Sequence, residues 1–76
     1  MSTEAPEYEV VLFHSVSYAL KAEKILRTKG ISYKLIPVPR HISSDCGFCV
    51  RFPSHLHQEV AEALKDSVDY VVIRPL

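Results

Sequence analysis

Two cysteines three positions apart carry the most reactive chemistry in this chain. They are Cys46 and Cys49, within Ile42-Ser43-Ser44-Asp45-Cys46-Gly47-Phe48-Cys49-Val50-Arg51-Phe52. Cys46 stands where a polar loop meets a strand-like run, beside Gly47. That setting leaves a thiol more accessible than a core cysteine. An exposed thiolate is a nucleophile and can hold a sulfane sulfur as a persulfide. The plain alternative is a small, half-buried, inert residue. The Cys46–Cys49 spacing is that of a redox or metal pair. If Cys49 lies inside a strand, however, three residues span about 10 Å and side chains an odd number apart face opposite ways. A disulfide needs Cα atoms within about 7 Å, so Gly47 would have to turn the chain for the sulfurs to meet. Otherwise Cys49 is a candidate second thiol that simply faces the outer side of the sheet beside Arg51.

Arg40, His41, Ser43, Ser44 and Asp45 surround the thiol in sequence. Arg40 is suited to an anionic persulfide or selenide, or to a partner's carboxylate; a merely hydrophilic loop accounts for these residues equally well. His55 and His57 invite a zinc reading with the cysteines. Zinc ligands converge at about 2.0–2.3 Å, whereas an intervening strand would hold the two groups roughly 15 Å apart. The two histidines are read instead as solvent-facing residues of a first helical turn, and no metal or resident cofactor is expected.

These residues need a scaffold, and the chain is long enough for one domain. With 76 residues, it buries only about 60% of its unfolded surface, so the core is marginal without further help. An apolar content of 47% is too high for disorder. The formal net charge is zero, which supplies no field for nucleic acid and no polybasic membrane patch. Two cysteines are too few for a secreted disulfide scaffold, no apolar run reaches the roughly 18 residues of a membrane span, and the polar start is no signal peptide. A cytoplasmic protein with reduced thiols is expected.

Residues 1–7 read as a flexible tail, followed by one domain over 8–76. Tyr8–Phe13 is β-branched and aromatic and predicts a strand. Ser15 is placed to cap a helix over Val16–Lys29, with Ala19, Ala22, Ile25 and Leu26 inward, a Glu23–Arg27 pair one turn apart, and Gly30 just past its end. Ser32–Ile36 predicts a second strand, stopped by Pro37 and Pro39. Phe48, Val50 and Phe52 alternate with Cys49 and Arg51 as a third strand, the phenylalanines toward the helices. Pro53 and Ser54 open a second helix with Leu56, Val60, Ala63 and Leu64 inward, and Asp69–Arg74 is the last strand.

The order β-α-β-β-α-β predicts an α+β, ferredoxin-like fold: a four-stranded antiparallel sheet in order 4-1-3-2 with both helices on one face. That topology brings His14, Ser15 and the Cys46 loop to one edge of the sheet. A helix N-terminus and an imidazolium there would favour the thiolate. The runs Val10-Val11-Leu12-Phe13 and Tyr70-Val71-Val72-Ile73 are apolar on both faces, so a covered outer face is expected, most simply in a homodimer. Val11, Phe13, Val71 and Ile73 are the interface candidates, with the face open by one register step.

The segment Pro37-Val38-Pro39-Arg40-His41-Ile42-Ser43-Ser44-Asp45-Cys46-Gly47, followed by Val50-Arg51-Phe52, resembles the selenium/sulfur carrier protein-like family. Phe13-His14-Ser15 leading into Ala19-Leu20-Lys21-Ala22-Glu23 resembles that family's opening, and the likeness runs from about Glu9 to Tyr70. It implies a small, stand-alone bacterial protein of selenium or sulfur metabolism with Cys46 as the carrying residue; Cys49 matches the pattern less securely. The implied partners are donor and acceptor proteins, such as a cysteine desulfurase as donor, and the implied role is a relay with no independent turnover. His14, Ser15, Arg40, Ser44, Asp45 and Gly47 would support the thiol. From a different class, a non-catalytic ferredoxin-like module that dimerises or regulates a partner through its outer sheet face would need no reactive thiol.

Overall fold

The computed structural model describes residues 7–42 and 46–76. The tail expected over residues 1–7, apart from Glu7, lies outside the described residues, as do the candidate site residues Ser44 and Asp45.

Strand β1 (Tyr8–Leu12) leads into helix α1 (Val16–Thr28), then β2 (Lys34–Pro37), β3 (Phe48–Pro53), a short 3-10 turn (Ser54–Leu56), α2 (His57–Leu64) and β4 (Val72–Pro75). The strands form one antiparallel sheet in the order β2-β3-β1-β4. This is the ferredoxin-like arrangement expected from the sequence, with β1 and β3 at the centre. Among the described residues no helix is long and apolar enough to cross a membrane.

Helix α1 is the element most directly written in the sequence. Ala19, Ala22 and Leu26 are buried and Ile25 packs beside them. Gly30 has φ +72°, the left-handed region that costs glycine least. Its N–H donates to the Arg27 carbonyl and that of Ile31 to the Leu26 carbonyl. These two bonds form a Schellman motif, which satisfies carbonyls the helix would otherwise leave open. Glu23 sits 3.9 Å from Arg27 and also accepts a bond from the Tyr33 hydroxyl at 3.2 Å, so it ties the helix to the segment leading into β2.

Strand ends differ from expectation by one to three residues; the last strand, expected from Asp69, begins at Val72. Pro37, Pro53 and Pro75 are each the last residue of their strand. Proline removes a donor yet still fits an extended backbone at a strand end. The expected start of the second helix at Pro53 and Ser54 is corrected: Pro53 closes β3, a single 3-10 turn follows, and α2 begins at His57. Its inward residues Val60, Ala63 and Leu64 are buried as expected, and Leu56 packs beside them.

The core has two parts. Between sheet and helices lie Val11, Phe13, Val50 and Phe52 with the inward residues of both helices. On the other face of the sheet Val10, Leu12 and Cys49 pack with Ile42, joined by Ile36 and Val38. The outer face is therefore covered, but over β1 and β3 the cover is the chain's own β2–β3 loop. The interface candidates are corrected by one register step. Val11 and Phe13 belong to the helix-side core and Ile73 packs against it; Val71 alone of the four is exposed. Residues directed outward are Val10, Leu12 and, on β4, Val72, which stands opposite Leu12 and is 41% exposed. Phe48 also departs from expectation. It shares the face of Phe52, but at the first position of β3 it lies past the helix layer and is 41% exposed.

Candidate functional site

One edge of the sheet gathers the residues singled out by their chemistry. Antiparallel pairing sets Leu12 opposite Cys49, so the chain beyond Leu12 emerges where β3 begins. Pro37 pairs with Phe48, and the Val38 N–H donates to the Gly47 carbonyl at 3.0 Å. The Val71 N–H donates to the Leu12 carbonyl at 2.7 Å. The end of β1, the start of α1, the base of the β2–β3 loop and the approach to β4 thus meet beside the two thiols.

The β2–β3 loop is anchored from within. The Ile42 N–H donates to the Pro39 carbonyl at 3.0 Å, closing a turn that leaves Arg40 and His41 exposed at its tip and presses Ile42 into the outer cluster. Two lone apolar residues in a polar loop, Val38 and Ile42, were the signal for this cover, because such residues gain by burial wherever a surface allows it.

Cys46 is buried, with 3% of its surface exposed, and Cys49 has 0%. The expectation of an exposed Cys46 is corrected: although it precedes the strand, it is buried where the β2–β3 loop rejoins the sheet, next to the Gly47 carbonyl that accepts from the Val38 N–H. Cys49 does face outward from the sheet, beside Arg51 in sequence, but beneath the loop rather than at the solvent. Neither cysteine is in a disulfide. Burial raises the Cys49 thiol from 9.0 to about 11, and the charge of Cys46 adds to the rise. The two sulfurs therefore sense each other. The backbone bends at Gly47, before β3 starts, so the straight-strand separation does not apply between them. Gly47 itself has no positive φ, and the space a Cβ would occupy there is open to at least 4 Å, so neither backbone conformation nor crowding requires glycine.

The supporting residues are placed with mixed outcomes. His14 is exposed and stands two residues past Leu12 at the thiol edge. Ser15 is the N-cap of α1 in an extended conformation, with no capping bond from its side chain; its carbonyl accepts from the Ala19 N–H at 3.2 Å. Arg40 projects from the loop tip. At the other end of β3, His55 is exposed and His57 donates or accepts through Nδ1 to Glu9 Oε1 at 2.6 Å. His57 is solvent-facing as expected, and the contact adds a partner the sequence did not show, an ion pair when the imidazole is protonated. Among the described residues no three metal-ligating side chains gather at one point.

A buried thiol pair, with Cys49 favoured as the neutral thiol, lies where four chain segments converge. No curated protein and no solved structure shows significant similarity to the chain. The family model described as Putative Se/S carrier protein-like matches residues 7–71, a span that holds both cysteines and every strand but the last. The chain belongs to that family of selenium/sulfur carrier-like proteins.

Proposed function

We propose that the protein carries a sulfane sulfur or selenium atom on Cys46 and relays it between a donor protein and an acceptor. The observation that bears most weight is the asymmetry of the thiol pair. With Cys49 pushed up to about 11, it stays a thiol at neutral pH, and the nucleophile's role falls to Cys46. In loading, the Cys46 thiolate attacks the terminal sulfur of a persulfide on the donor. The new bond is Cys46 Sγ–S, the donor's S–S bond breaks, and the donor leaves as a thiolate. The proton stays on the transferred sulfur and no external oxidant is needed. Unloading is the same displacement by a thiolate of the acceptor.

Burial serves this chemistry in two ways. It shields the persulfide from stray thiols, transfer then requiring local opening at Cys46. It also restrains Cys49. Attack by a Cys49 thiolate on Cys46 Sγ would form a Cys46–Cys49 disulfide and expel hydrosulfide, discharging the cargo unproductively. Holding Cys49 protonated suppresses that reaction.

Intact-mass measurement of the protein isolated from its own host without reductant tests the reading. A persulfide should add about 32 Da and a perselenide about 79 Da, both lost on treatment with dithiothreitol. Their absence from wild-type protein, or their persistence in Cys46→Ser, would contradict it.

A further inference from the structure

We infer that the outer face of the sheet is a docking site for an acidic segment of a partner protein, held by a line of three cations. The register sets Lys34 opposite Arg51, Arg51 opposite Val10, and Val10 opposite Arg74. Strands lie about 4.8 Å apart, so this line crosses all four strands over about 14 Å. It follows the outward row, because Val10 packs with Cys49 on that face and Arg51 lies two residues from Cys49; Val10 is itself fully buried in the outer cluster, so a ligand meets the line at the exposed Lys34 and Arg74 and the half-buried Arg51. Glu9 is the one acidic residue in the strands, and it is engaged with His57. Among the described residues Lys34, Arg51 and Arg74 take part in no ion pair.

Like charges set directly opposite each other cost stability, and Lys34 against Arg51 is such a pair. Arg51 is held over the Tyr8 ring, 4.5 Å from its centroid, which favours the cation but does not neutralise it. Lys34 and Arg74 are exposed. At the Lys34 end, Tyr8, Ser32, Tyr33, Lys34, Arg51 and Pro53 line a hollow of about 170 Å³, room for a carboxylate side chain between two cations. One step along the strands runs the apolar row Ile36, Cys49, Leu12, Val72, whose β4 end is open to an apolar side chain of the ligand.

An extended peptide advances about 3.3 Å per residue, so about four residues span the line. A nucleic acid is a poorer occupant. The Tyr8 ring face that would stack on a base already carries Arg51, which leaves a base no stacking platform here. A docked segment would lie about 7 Å from the Cys49 position along β3, beside the thiols, although docking does not depend on what Cys46 carries.

The test is titration of the whole protein with a fluorescent peptide of about ten glutamates at low salt, with backbone amide shifts followed by NMR. Saturable, salt-sensitive binding should shift Val10, Arg51 and Arg74. The double variant K34E/R74E should weaken binding by about tenfold or more. The variant K21E/K65E makes the same change of net charge on the helix layer and should leave binding unchanged. Equal losses in the two variants, shifts spread over the helices, no binding, or tighter binding of an oligouridylate of equal charge would each overturn the assignment; the wild-type shift map decides the matter even if a variant fails to fold.

Discussion

Serine in place of Cys46 should leave the protein nearly inert toward iodoacetamide at neutral pH, whereas Cys49→Ser should keep the wild-type rate. Alkylation proceeds through the thiolate. A rise from 9.0 to about 11 lowers the thiolate fraction of Cys49 by about 100-fold. The larger cause, burial, survives in Cys46→Ser; the smaller, the charge of Cys46, does not, so the full factor is an upper bound. Both thiols are buried, so local opening gates the reagent's access to each. Repeating the comparison of the two single-cysteine variants across pH separates ionisation, which changes with pH in a set way, from access. Equal rates would remove the asymmetry on which the carrier reading rests.

Folding stability should carry the signature of Cys49 at high pH. Its folded-state value lies above its unfolded one, so the stabilisation is complete below about pH 9 and is lost as pH rises toward 11. The unfolded chain gives up this proton first, and alkali then favours unfolding. At a pH of about 10.5 wild-type protein should have lost about 2 kcal/mol that Cys49→Ala cannot lose. Urea denaturation of both proteins at about pH 7.5 and about pH 10.5 reads this as a difference of differences, in which the tyrosines and lysines ionise alike. The gap between the two proteins should shrink at the higher pH. A gap that stays constant would mean that Cys49 is as well solvated folded as unfolded, and the outer cluster with Ile42 would be wrong.

Local rules made parts of this molecule legible from sequence. Gly30 and the Ala19, Ala22, Leu26 spacing specify α1 because capping and helical periodicity act over a few residues. Alternation in Phe48–Phe52 and the order of elements were enough for the strand order, since crossover handedness leaves few topologies. The faces of β3 were legible from its alternation, but those of β1 and β4 were not. In Val10-Val11-Leu12-Phe13 every residue is apolar, so alternation exists without saying which set meets the helices. The pairing of Glu9 with His57 joins residues 48 positions apart, beyond any local pattern. Burial of Cys49 depends on Val38 and Ile42 folding back over Leu12 and Cys49, a tertiary contact that a polar loop conceals. The cationic line was equally hidden, because Lys34, Arg51 and Arg74 become neighbours only through the register of the sheet.

Transfer onto Cys46 is the central claim, and a single-turnover experiment tests it most directly. Reduced wild-type, Cys46→Ser and Cys49→Ser proteins are each mixed with one equivalent of glutathione persulfide, then resolved by intact mass before and after a thiol acceptor is added. Wild type and Cys49→Ser should gain about 32 Da and return to their starting mass as the acceptor takes up the sulfur, while Cys46→Ser stays unchanged. An adduct of equal yield on Cys46→Ser, or a wild-type protein that only loses about 2 Da by closing a Cys46–Cys49 disulfide, would contradict the carrier account.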